Sequence, residues 1–116
     1  SLEFDEIFHS NTIVRADADQ ERIQIQGASV TPTKNWERYY VYGAYWKSPR
    51  EIQFFLDGKY AYSIKTTYDF DKPSFLQMAI ETYDWNPVPA DGGLIASSPP
   101  EERKTRYDWV RTWKLK

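Results

Sequence analysis

The chain has 116 residues with 41% hydrophobic content, enough for the core of one small domain, while its 17% aromatic content exceeds what such a core requires and is expected partly on a surface or in a cleft. A net charge of -2 with scattered basic residues gives no reason to invoke nucleic acid or an anionic membrane. No cysteine, one histidine (His9) and no long apolar run leave no disulfide framework, no thiolate or histidine-based metal site and no membrane span.

The opening Ser1-Leu2-Glu3 shows no signal peptide and reads as an internal segment. Strand signals then dominate. Thr12–Arg15 is a short β-branched run. Arg22–Gln26 alternates strictly, with Ile23 and Ile25 inward, and Gly27 is read as its end. Trp36–Lys59 carries four tyrosines and two tryptophans. It reads as a long strand Trp36–Lys47, a Ser48-Pro49 turn and a second strand Glu51–Leu56. One face of the first strand is Tyr40, Tyr42, Ala44 and Trp46, the other Tyr39, Val41, Gly43 and Tyr45. Both faces are aromatic, so the sequence does not say which is solvated. Asp57-Gly58 predicts a tight turn into Lys59–Lys65, with Tyr60, Tyr62 and Ile64 on one side. Phe75–Thr82 alternates again. Asn86–Pro100 is a long Pro/Gly-rich loop of the kind that often carries function. Pro100–Arg106 predicts one short turn, and Thr105–Leu115 a last strand. The pattern predicts an all-β sandwich with no convincing helix.

Three segments carry a family resemblance. Tyr39–Tyr60 (YYVYGAYWKSPREIQFFLDGKY), Met78–Trp85 (MAIETYDW) and Tyr107–Trp113 (YDWVRTW) resemble, in order and approximate spacing, the second half of glycoside hydrolase family 16, most closely its β-agarases and β-porphyranases. His9–Arg15 is similar to the family's His-rich strand that ends in Phe-Ile-Arg. The resemblance implies a concanavalin-like jelly-roll β-sandwich, here an incomplete C-terminal half that needs the N-terminal half of its own domain. It also implies a secreted or cell-surface bacterial enzyme that hydrolyses red-algal galactans with retention. No cofactor is expected; a structural calcium is compatible with the sequence without being indicated by it.

The family's signature is Glu-x-Asp-x-x-Glu, or a form one residue longer, on one strand. Alternation aims its carboxylates at the cleft, where a retaining enzyme needs two carboxyl groups roughly 5 Å apart. Glu3-Phe4-Asp5-Glu6-Ile7-Phe8 matches at the first two positions only, since position 8 is Phe8. It is read as a chance near-match, with the catalytic residues expected upstream of Ser1. The resemblance assigns sugar contacts to Arg15, Trp46, Glu81, Trp85 and Asn86. Trp46 and Trp85 offer stacking faces, the alternative being core tryptophan. Arg15 offers a fork for hydroxyls or a sulfate ester, the alternative being an ion pair with Asp17 or Asp19. Glu81 offers a hydroxyl acceptor on the cleft face and not the catalytic acid, the alternative being a carboxylate on a solvated face. His9 reads as a plain polar residue, and Asn11 stands where agarases often have His. Trp109, Trp113 and Tyr107 are assigned to packing. Two other readings stand beside the enzyme: a non-catalytic carbohydrate-binding sandwich, and an interaction domain whose aromatics are buried between copies.

Overall fold

The computed structural model describes residues 4–14, 23–79 and 87–116. Its strands are β1 (Ile7–Val14), β2 (Ile23–Val30), β3 (Tyr42–Ser48), β4 (Glu51–Leu56) and β5 (Lys59–Lys65). They form a two-stranded sheet, β1-β2, and a three-stranded sheet, β3-β4-β5, with every pairing antiparallel. The strands belong to a unit spanning Ser1–Pro73, and Ser74–Lys116 forms a second unit.

Alternation decides the faces of the first unit. On β1, Phe8 and Thr12 are buried while His9, Asn11 and Ile13 are exposed. Phe54 of β4 and Ile64 of β5 complete the core with Phe8, and Ile25, Ile52, Leu56, Ala61 and Tyr62 pack around them. The Phe8 ring lies 5.0 Å from Tyr42, 5.5 Å from Tyr62 and 6.2 Å, edge-on, from Phe54. The two sheets therefore meet across a small aromatic core, with aromatic pairs in the tilted arrangements that ring quadrupoles favour.

Gly27 does not end its strand, which continues to Val30. Its role is one of space. A Cβ at Gly27 would sit 2.6 Å from the Tyr62 ring, so the bare backbone lets that ring lie flat against β2. The Tyr62 hydroxyl then donates to the Phe8 carbonyl at 3.2 Å and reaches Ser10 Oγ at 3.0 Å, which ties the sheets together. Partial burial pushes the Tyr62 hydroxyl's pKa up.

The expected Asp57-Gly58 turn is present. Asp57 has φ of 51° and Gly58 φ of 76°, the left-handed pair that a two-residue hairpin turn demands. The expected strand from Trp36 instead begins at Tyr42. The reason is visible at Asp57, whose carboxylate accepts the Val41 N–H at 3.0 Å and an Arg38 N–H at 2.7 Å. The Arg38 guanidinium also lies 3.6 Å above the buried Tyr40 ring. Tyr40 Oη accepts the Thr33 N–H at 2.9 Å. Residues 36–41 are thus an anchored loop rather than ladder.

A bulge corrects the reading of β5. Phe54 pairs with Tyr62 and Phe55 with Tyr60, which leaves Ala61 as the extra residue. Tyr60 consequently faces away from Tyr62 and Ile64 instead of sharing their side.

The second unit corrects two expected strands. Residues 75–79 and 105–115 are not strand, and the described remainder of Phe75–Thr82 ends at residue 79. An extended segment becomes a strand only when a neighbour satisfies its backbone, and no described residue pairs with either in a sheet. Phe75, Tyr107, Trp109 and Trp113 are all exposed, so the three rings assigned to packing are not buried among the described residues. Within the loop, Gly93–Ala96 makes one α-turn and Pro100–Glu102 a 3-10 turn, the latter as expected.

Candidate functional site

The strongest candidate surface is the outward face of β1-β2. Register places Asn11 opposite Gln26, His9 opposite Ala28 and Ile13 opposite Gln24. His9, Asn11 and Gln26 are exposed, and Gln24 is half-buried. The row offers an imidazole and three amides, each with donor and acceptor capacity. Ala28 keeps the surface low beside His9. Arg15 lies outside the described residues, as do Glu81, Trp85 and Asn86. His9 is exposed, as a plain polar residue would be, and its grouping with Asn11, Gln24 and Gln26 was not visible in the sequence because it depends on the pairing of β1 with β2.

Trp46 is on the other sheet. It pairs with Ile52, which places it on the same face as Phe54 and the core. It sits at the open margin of that face and remains 42% exposed. The Phe70 ring meets it edge-on at 6.3 Å. Between them opens a hollow of about 450 Å³ whose rim includes Ser48, Pro49 and Asp71. Its far wall is fixed to the hairpin tip. The Phe70 N–H donates to the Pro49 carbonyl at 2.7 Å, and Arg50 holds Asp69 at 2.6 Å. Phe70 was missed from the sequence, since nothing in the local pattern announces a ring that returns to the β3-β4 turn. Trp46 and the β1-β2 row thus occupy different faces of the sandwich and do not form one continuous wall.

A family model described as beta-porphyranase A-D, GH16 domain, matches residues 1–115. The chain belongs to this glycoside hydrolase family 16 group. It is 44% identical over 115 residues to β-porphyranase B of Zobellia galactanivorans, an alignment covering 97% of this chain and 39% of that protein. β-Porphyranase B of Phocaeicola plebeius is 35% identical over 107 residues, covering 87% of this chain and 32% of the relative. The crystal structure of porphyranase B from Z. galactanivorans superposes with a TM-score of 0.73 at 41% identity, over 86% of this chain and 38% of that one. The chain thus spans roughly a third to two fifths of the length of these relatives. The two antiparallel sheets are accordingly those of the GH16 jelly roll.

Against this GH16 frame, the near-match to the catalytic signature can be judged by geometry. Phe4–Glu6 is a 3-10 turn, not a strand. The Asp5 carboxylate accepts Lys34 Nζ at 3.0 Å and Trp36 Nε1 at 3.1 Å. Lys34 also holds Glu6 at 3.3 Å. The Lys34 hydrogen bond keeps the Asp5 carboxyl below the usual carboxylate range. Asp5 is therefore an anchor for the 31–36 loop, which its carbonyl also holds by accepting the Asn35 N–H at 2.6 Å. A carboxylate so engaged is not presented to a cleft.

Proposed function

We propose that this chain forms one side of the sugar cleft of a retaining endo-β-galactanase of the porphyranase type, and that it binds substrate without supplying the catalytic carboxylates. The observation that carries this reading is the open polar row His9, Asn11, Gln24 and Gln26, in a chain matched along residues 1–115 by a porphyranase family. Hydroxyl-rich pyranoses need many paired donors and acceptors on a shallow surface, and this row provides them. The names of the relatives favour porphyran over agarose as the galactan. Arg15 offers a fork for hydroxyls or a sulfate ester. Trp85 supplies a stacking face, Glu81 a hydroxyl acceptor and Asn86 a further amide. Trp46 offers a second ring at the separate hollow beside Phe70. The nucleophile and the acid would come from a Glu-x-Asp-x-x-Glu strand outside these residues, in the N-terminal half of the same domain. A polymer substrate too large to enter a cell places the enzyme at the cell surface or outside it.

A non-catalytic binding module is the second reading, favoured by the engagement of Asp5 with Lys34 and Trp36. Reducing-sugar release from porphyran and agarose separates the two. The 116-residue chain alone is expected to release none, and ordinary turnover by it would sink the proposal. In a polypeptide that also carries the signature, Trp85→Ala and Glu81→Gln should each lower kcat/KM, by up to a few kcal/mol of transition-state binding. Changes within about twofold for both, which is under about 0.5 kcal/mol, would remove them from the cleft. Abolition of turnover by Glu81→Gln with binding intact would instead give Glu81 a chemical role.

A further inference from the structure

The outer face of β3-β4-β5 is turned away from the core, where a solvated sheet ordinarily carries polar residues. Here it carries three aromatic rings, Tyr45, Phe55 and Tyr60. Cross-strand register sorts the face into rows. Gly43, Phe55 and Tyr60 form one row, and Tyr45, Gln53 and Ser63 the next. A third contains Glu51 with Lys65 opposite, and Lys47 reaches Glu51 at 3.2 Å. The bulge at Ala61 is what brings Tyr60 to this side.

Each row has its own chemistry. Tyr45 and Tyr60 are 41% and 58% exposed, and Tyr60 meets Phe55 edge-on at 6.0 Å. Gly43 leaves the flank of Phe55 uncovered, since a Cβ there would lie 3.3 Å from Phe55 Cβ. Tyr60 Oη and Ser63 Oγ share a hydrogen bond at 2.9 Å, which fixes the phenol on the surface. Gln53 adds an amide. The last row sets two ammonium groups against one carboxylate and is net positive.

Aromatic faces suit the apolar faces of pyranoses, and the amide and hydroxyls suit their ring substituents. The lysine row adds charge complementarity to an anionic chain. We propose that this face is an accessory binding surface for a sulfate-bearing galactan chain. It lies on the opposite side of the two-sheet stack from the β1-β2 row, so it holds polymer without occupying the cleft. The inference rests on the galactanase reading and adds a second site to it.

The test uses the intact enzyme, affinity electrophoresis through gels containing porphyran or desulfated porphyran, and turnover of short porphyran oligosaccharides. Tyr45→Ser/Tyr60→Ser should weaken retardation by both polymers about fivefold or more, as loss of aromatic anchors does. Lys65→Glu should weaken it with the sulfated polymer only. Both variants should melt as the parent does and turn over oligosaccharides at the parent rate. Retardation equal to the parent's in both variants overturns the inference while oligosaccharide turnover leaves the enzyme reading intact. Absence of both turnover and retardation in the parent sinks the two together. A parent dimer that the tyrosine variant loses in sedimentation would identify the face as a contact between copies and overturn the sugar surface.

Discussion

Asp57 shows how much one side chain can decide. It occupies a left-handed position, receives the Val41 N–H and pairs with Arg38, so it closes one hairpin and stops another strand from extending. The Val41 hydrogen bond first, and Arg38 second, hold its carboxyl below the ordinary value of 3.8. The sign of the linkage follows. A carboxylate with a depressed folded pKa contributes stability that is complete above the unfolded value, and that stability is lost as pH falls through 3.8 toward the folded pKa. Asp5 and Asp69 are lowered in the same direction by Lys34 and Arg50, so the acid limb of the parent is a composite. Asp57→Asn keeps a residue tolerant of positive φ and removes the charge. Melting temperatures of parent and variant should converge as pH falls from about 7 to about 3, below the reference aspartate value. A difference between them that stays constant over that range would show that the charge on Asp57 contributes nothing to stability.

At the scale of elements, the sequence was legible wherever side-chain type alone fixes conformation. Asp-Gly demanded a left-handed turn and produced one, and Glu51–Leu56 and Lys59–Lys65 have their expected bounds. It was illegible where a distant partner decides. The Ala61 bulge, the Phe70 ring beside Trp46 and the pairing that gathers His9, Asn11, Gln24 and Gln26 are all set by non-local contacts. Residues 75–79 and 105–115 have good alternation, but alternation supplies no hydrogen-bond partner. Gly27 is the sharpest case, because a breaker in the sequence is a packing device in the fold. Gly27→Ala should destabilise by about 1–3 kcal/mol through overpacking against Tyr62. The cost should shrink when Tyr62→Val is present, since the ring is the obstacle. Denaturant midpoints of the two single variants and the double variant give the coupling, and strict additivity would remove Tyr62 from the explanation.

Across the whole molecule, the balance between covered and open surface governs behaviour. Among the described residues the core rests on Phe8, Phe54 and Ile64. Tyr42 and Trp46 lie on the same face as that core and remain half exposed. β3 also pairs with β4 alone among the described residues, so none of these residues continues the ladder on its other edge. An open edge beside an exposed aromatic face is a template for association. The 116-residue chain on its own should therefore self-associate through β3. Sedimentation velocity across a concentration series should show species heavier than the monomer. Ala44→Lys, which sets a charge in the middle of that edge and opposite Phe54, should shift the distribution toward monomer, whereas Tyr60→Ser on the far face should not. A parent chain that stays monomeric at high concentration and melts cooperatively would mean that the β3 edge is already satisfied, and would favour a self-sufficient binding module over a galactanase cleft completed by a further half of the domain.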